Sequence, residues 1–418
     1  MAILFYSTII WYVIIAQKKK IMTTKKLNTF TLSGLIIGPI LGSGLILLPP
    51  LLYNMIQDFS LIIWIVILSL GFSFALIFGK LAILFPGRGG VTLATKEALG
   101  KKYQLLTSFY LICAVFFGPV AVLMIAAEFI QEYFPDTHIV ILSFCIYILT
   151  YILLLIKIDF LGKLMLIVSS AITVIFLISS INILMNVNDF VFTLPDVEIK
   201  QIGYSFLLVF WAIVGWEVIG NYSDEAKDTK TLTNAVVFSA ITVSCVYFIV
   251  CLAICFGEFE HSKENFKLVW LIQPIFGNFS HIILSSISVI LCIGTLILFV
   301  GGVSRLISYL NFSQYTSKHL RTGAPIGALN FLALVHVLIL VLVYVNYLSL
   351  DNLVAFADGF FIANAIIGLI TAILLFESGF LKMNAIVLTG MFFGILLFSN
   401  MYILSVIVGL FCYTYFKK

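Results

Sequence analysis

Apolar runs of about 20 residues, the length a bilayer-spanning helix needs, recur from one end of this chain to the other. In lipid, every backbone N–H and C=O must be satisfied within the protein, so a run of that length folds as a helix. The composition agrees. Hydrophobic residues make up 62% and charged residues 10% of the chain, against roughly 45–50% and 25% in a soluble domain. The fold class read from this is an all-α polytopic membrane protein. Twelve spans are expected, near 31–54, 60–84, 103–131, 138–156, 162–186, 202–222, 233–257, 281–310, 326–346, 350–375, 382–398 and 400–416. No connecting loop is long enough to enclose a soluble core.

The charges give this bundle a direction. With the N-terminus placed inside, all of the 23 lysines and arginines except Lys200, Lys263 and Lys267 fall at or near the inner ends of the spans. The opposite loops are acidic, with Asp58, Glu132, Asp136, Asp189, Glu258, Glu260 and Glu264 among them. The positive-inside rule then places both termini in the cytoplasm, consistent with an even number of spans in the cytoplasmic membrane. Residues 1–26 stand apart as a short apolar stretch followed by Lys18, Lys19 and Lys20. They read as an extra short helix, an interfacial segment or the product of an upstream start, with the last favoured.

Two spans are interrupted. The first contains Gly38-Pro39-Ile40-Leu41-Gly42-Ser43-Gly44. Glycine costs about 1 kcal/mol and proline about 3 in a helix interior, so this helix is expected to open near mid-membrane. The sixth contains Phe210-Trp211-Ala212-Ile213-Val214-Gly215-Trp216-Glu217 and then Gly220, with a carboxylate inside the span. The second break comes five helices after the first, an odd number, so the broken helices run in opposite directions. Interrupted helices at corresponding places in two halves point to an inverted repeat with a binding site between them. The domains expected are residues 27–186 as the first five-helix repeat, 202–375 as the second, and 382–416 as two extra C-terminal helices.

These segments resemble the amino acid–polyamine–organocation (APC) transporters. Gly42-Ser43-Gly44 followed by Leu-Ile-Leu-Leu-Pro-Pro is similar to that family's first-helix motif. Pro86-Gly87-Arg88-Gly89-Gly90 resembles its glycine-rich first cytoplasmic loop, and Phe210–Glu217 its aromatic–Gly–Glu sixth helix. Asp224-Glu225-Ala226-Lys227-Asp228 resembles the turn that follows, although Asp228-Thr229 stands where Asn-Pro is usual. Arg305 at the end of span eight adds to the likeness. The resemblance covers residues 27–416 and is nearest to bacterial carriers of neutral and hydrophobic amino acids, an exporter subgroup included. It implies a five-plus-five inverted-repeat fold, a secondary transporter rather than an enzyme, and a proton or counter-substrate as the coupled partner. Polyamine or cationic amino acid transport, and an amino acid sensor on the same scaffold, are the alternatives.

The opened helices suggest how a zwitterion is held. N–H groups at Ser43, Gly44 and Leu45, at the start of a half-helix, suit a carboxylate. Carbonyls around Phe210, Trp211 and Ile213 suit an ammonium. Glycine at 42 and 44 allows close approach to the backbone. Ile40, Val115, Gly118, Pro119, Trp211 and Ile213 are expected around the substrate side chain, which favours a hydrophobic one. Gly215 opens the sixth span, and Glu217 either caps its freed N–H groups or touches the ligand. Trp211 would close over the ligand by resemblance. Asp358 is read as an outer-gate residue, a proton site or a structural carboxylate, and Gly89, Gly90, Glu225, Lys227 and Arg305 as a cytoplasmic loop motif. His336 is read as a satisfied helix contact. Span five carries Lys163 only at its inner end, so no coupling role is assigned to it. None of the seven cysteines has CxxC or Cys/His spacing, so no metal site or disulfide is expected. No cofactor or nucleic acid is expected either. Spans eleven and twelve, outside the repeat, offer a surface for a homodimer.

Overall fold

The computed structural model describes residues 26–259, 265–399 and 401–416. Expectations for residues 1–25, Glu260, Lys263 and Glu264 lie outside them. The long helices are α1 (Thr29–Ile56), α2 (Phe59–Leu84), α4 (Lys101–Gln131), α5 (Ile139–Leu154) and α6 (Ile158–Met185). The broken sixth span comprises α7 (Ile199–Val209), a 3-10 turn over Phe210–Ile213, α8 (Trp216–Ile219) and a second 3-10 turn over Gly220–Glu225. There follow α9 (Thr229–Phe256), α10 (Val269–Phe276), α11 (Ser280–Leu310), α12 (Ile326–Tyr344), α13 (Leu350–Leu375), α14 (Phe380–Leu396) and α15 (Met401–Phe416). The short α3 (Val91–Leu99) lies in the loop after α2. Among the described residues, nine segments are long and apolar enough to cross a membrane, and α5, α14 and α15 are shorter apolar helices.

Burial divides the helices into an inner and an outer set. α1 is enclosed by α6, α9 and α11, while α4 packs on α11 and α13. α6, α12, α14 and α15 turn large apolar side chains outward, such as Ile167 at 69% and Tyr402 at 79% exposure. In water such faces would aggregate; in a multi-pass membrane protein they meet lipid. Polar caps mark several helix starts. The Asn28 side chain accepts from Thr31 N at 2.9 Å and Ser349 forms the same reciprocal box with Asn352. Asp228 caps α9, its carboxylate accepting from Thr231 N at 2.7 Å. The residue that departs from the usual Asn-Pro thus still starts a helix. Those hydrogen bonds, with the Thr231 backbone first and its hydroxyl second, hold the Asp228 carboxyl below the usual range.

Both ends of α1 are tied down. At its start, Leu27 N donates to Glu225 O at 2.8 Å and Lys227 N to Leu27 O at 3.0 Å. This isolated parallel bridge joins the chain before α1 to the turn after the sixth span. At its other end, Asn54 Nδ2 donates to Phe266 O at 3.1 Å, and Asn54 Oδ1 accepts from Phe266 N at 2.7 Å. A side-chain amide thereby pins the loop before α10.

Candidate functional site

The site grows from what each break does to its backbone. In α1 only Gly42 leaves helical geometry, at φ 29° and ψ −142°. The expected opening over Gly38–Gly44 is narrowed to one residue, because neighbouring helices hold its flanks. Thr295 Oγ1 on α11 donates to Pro39 O at 2.9 Å, and Tyr247 OH on α9 donates to Leu41 O at 3.3 Å. Gly42 and Gly44 leave no room for more. A Cβ on Gly42 would run into Thr295 Oγ1, and one on Gly44 would lie 2.5 Å from Tyr247 OH. The second half of α1 begins at Ser43, and the first N–H groups of a helix have no acceptors within it.

The sixth span breaks over a longer stretch. A 3-10 turn covers Phe210–Ile213, Val214 is extended at φ −71° and ψ 138°, and Gly215 lies at φ 124°. Glu217 is 2% exposed, and its Oε2 accepts from Gly215 N at 3.0 Å. Its Oε1 has no partner among the described residues. Gly220 is helical, with φ −52° and ψ −33°. It is small for packing, since a Cβ there would lie 3.0 Å from Gly90 Cα.

One hydrogen bond joins the two breaks: Trp211 Nε1 donates to Ser43 Oγ at 3.1 Å. The indole closes one side of a narrow cavity. Of the residues read from the sequence, Pro39, Ile40, Ser43, Gly44, Gly118, Pro119 and Trp211 line it. Val122, Val214, Thr295, Leu296, Phe299 and Phe361 complete the wall. Thr295 had a readable signal, a hydroxyl beside Gly294 inside an apolar span. Phe299 and Phe361 had none. They meet across the wall with ring centroids 5.2 Å apart.

Other expected residues stand back from the cavity. Phe210 packs edge-on against Phe392 of α14 at 5.0 Å. Ile213 faces α2, where a Cβ on Gly71 would lie 2.5 Å from its Cγ2. Neither side chain lines the wall, and Val115 also lies outside it, its carbonyl 2.7 Å from His336 Nε2. His336 is fully used, since its Nδ1 lies 3.0 Å from Tyr147 OH. Leu45 is buried without reaching the cavity, and Gly42 and Gly215 shape it through the backbone alone. Asp358 is 3% exposed in α13 and its Oδ1 has no partner among the described residues. Lys163 pairs with Asp159 at 2.9 Å, one turn away on α6.

The loop motif assembles at the end of the bundle where α1 starts. Gly87 N donates to Ser223 Oγ at 2.8 Å, and Gly90, at φ 55°, leaves room for the Asn221 amide, which a Cβ there would strike. Gly89 is buried beside Leu93 and Tyr309. Arg305 Nε lies 3.7 Å from Glu225 Oε1, and its guanidinium sits 4.6 Å from the Tyr222 ring. Lys227 takes part through its backbone, in the bridge to Leu27.

A helical bundle opened at two buried breaks that face one cavity is the architecture of a membrane transporter, and the comparisons with known proteins agree. The amino acid permease family model matches residues 27–416. The chain belongs to that family, a family of transporters and not of enzymes. It is 23% identical over 350 residues to the L-methionine/branched-chain amino acid exporter YjeH of Escherichia coli (strain K12), a match spanning 79% of this chain and 81% of that protein. Among solved structures it resembles two single-residue mutants of the Eremococcus coleocola manganese transporter, both at 12% identity. The TM-scores are 0.61 and 0.59, and each alignment covers 93% of this chain and 94% of the other. At that identity the likeness speaks to the fold alone.

Proposed function

We propose that this amino acid permease is a secondary carrier of neutral, hydrophobic amino acids, working by alternating access in the cytoplasmic membrane. The observation that carries the reading is the chemistry of the central cavity. Its wall joins the start of a half-helix at Ser43 and Gly44 to an indole and a set of apolar side chains. No ionisable side chain lines it among the described residues. Backbone groups thus remain to read the carboxylate and ammonium, and Val122, Leu296, Phe299 and Phe361 to accept an apolar side chain. A polyamine would need wall carboxylates, and Glu217 and Asp358 both stand outside the wall. The exporter relative is named for methionine and branched-chain amino acids, which fit such a pocket.

The twelve-span count, the two five-helix repeats over 27–186 and 202–375, and the extra pair over 382–416 belong to this proposal. The packing supports the repeat. The first broken helix lies on α9, the seventh span, as the sixth span lies on α2, the second. Both termini are cytoplasmic in this reading, and the coupled partner is a proton, with Asp358 as its carrier, or a counter-transported amino acid. Proteoliposomes loaded with unlabelled leucine test the function. Saturable exchange of tritiated leucine is expected, and binding without flux would turn the reading into that of a sensor.

A further inference from the structure

A second, narrow cavity lies at the basic end of the bundle. The two cavities share two elements. α11 gives Thr295, Leu296 and Phe299 to the central one and Ile297 and Arg305 to the other, while the sixth span gives Trp211 and Val214 to the first and Tyr222 and Glu225 to the second. Tyr222 separates them, its hydroxyl placed 3.0 Å from both Ile297 O and Leu298 O.

The polar side of this cavity is a half-made ion pair. The Arg305 and Glu225 side chains are 11% and 12% exposed, and their closest approach is 3.7 Å. That is beyond hydrogen-bond reach. Arg305 spends one N–H on Gly301 O at 2.8 Å. No hydrogen bond reaches the Glu225 carboxylate among the described residues. Two charges held out of water and poorly joined are costly unless something completes their hydrogen bonds. The facing wall is apolar, made by Leu154, Leu161 and Ile297 with their neighbours. Arg88 also lines the cavity, with its Nη1 3.1 Å from His319 Nε2. A simple cation would meet two guanidinium groups, and a simple anion would leave the Glu225 carboxylate without a partner.

We propose that this cavity is a second binding site for a zwitterionic amino acid with an apolar side chain. Arg305 takes the carboxylate, Glu225 the ammonium, and the Leu154–Leu161–Ile297 wall the side chain. The site rests on the function proposed above and deepens it. A substrate held here waits behind Tyr222, one step along α11 and the sixth span from the central cavity. Opening the Arg305–Glu225 pair would then be coupled to the arrival of a ligand that replaces each partner.

Equilibrium binding of tritiated leucine to the purified full chain at saturation tests this. Two molecules per wild-type chain are expected, and one in Arg305→Gln and in Glu225→Gln. Ile156→Trp fills the same cavity from its apolar side and leaves the ion pair intact. It is also expected to bind one, so loss of the second molecule cannot be assigned to damage at the charges. One molecule in the wild type and an unchanged one in all three variants would overturn the second site while leaving the carrier reading intact. No binding of leucine, methionine or any other neutral amino acid to the wild type would overturn both. Displacement of the second molecule by inorganic phosphate alone would make the cavity an anion site and overturn the proposal.

Discussion

The break in α1 and the break in the sixth span open two helices into one cavity by different means. In α1 a single residue turns, and the carbonyls beside it are held by hydroxyls from other helices, Thr295 and Tyr247. In the sixth span the chain departs from the α-helix over many residues and caps itself, with Glu217 accepting from Gly215 N two residues back. A break held from outside is sensitive to any shift of its neighbours; a self-capped break carries its own support. That gives the first break the character of a reporter on α9 and α11, and the second the character of a fixed floor.

The sharpest way to break this comparison is Gly42→Ala. Its φ of 29° disfavours an L-residue, at a cost of order 1–3 kcal/mol. The new Cβ also displaces the Thr295 hydroxyl and leaves Pro39 O buried without its donor, a further ~1–3 kcal/mol. Leucine affinity should fall about a hundredfold or more, read by equilibrium binding with the melting temperature followed in parallel. Gly215→Ala meets the backbone penalty at φ 124° and a milder contact, its nearest neighbour being Ile40 Cγ1 at 3.2 Å. It should lose about tenfold, on the order of 1–2 kcal/mol. Equal losses in the two variants would erase the distinction between the breaks.

Next in size is Glu217→Leu. Removing the carboxylate leaves Gly215 N buried without an acceptor, about 1–3 kcal/mol of stability, measured as a drop in melting temperature. Glu217→Gln keeps an oxygen for that N–H and should recover most of it. If Gln and Leu behave alike, the charge at 217 matters and the capping role does not explain it. Smaller still is Trp211→Phe, which keeps an aromatic wall and removes only the bond to Ser43 Oγ. A neutral bond is worth about 1 kcal/mol, so leucine affinity should weaken roughly fivefold. Unchanged affinity would show that the two breaks are not joined through the indole.

Much of this was legible in the residues themselves. Glycines inside apolar runs marked both breaks, with Pro39 added at the first and Glu217 at the second, and apolar length with basic asymmetry marked the spans. What stayed hidden depended on contacts distant in sequence. Gly220 looked like an opener beside Gly215, yet its backbone is helical and its smallness serves the Gly87–Gly90 loop, which lies more than a hundred residues away. Phe210 and Ile213 sit beside Trp211 in sequence, but a 3-10 turn sends them toward α14 and α2. Phe299 and Phe361 carry no sequence mark because apolar side chains are the background of every span. Only the folding of α11 and α13 around the breaks brings them to the cavity.

The smallest effect concerns the loop between α11 and α12, where α11's basic end meets the glycine-rich loop. His319 Nε2 lies 3.1 Å from Arg88 Nη1 and its Nδ1 lies 2.8 Å from Ser317 O. Burial lowers its pKa from the ordinary 6.5, and the Arg88 and Arg305 charges lower it further against the opposing bond to Ser317. The folded protein therefore binds this proton less readily than the unfolded chain. The stability it contributes is present above pH 6.5 and is lost as pH falls through the folded value. Melting temperature should decline between about pH 7 and about pH 5, and His319→Gln, which cannot titrate, should decline less. The same comparison made on Gly42→Ala should show no change in the His319 part of the slope, since the first break is held by α9 and α11 near mid-span and not by this loop. A slope that changed with the break would mean that the basic end and the cavity move as one body, and the externally held break would then extend to the whole of α11.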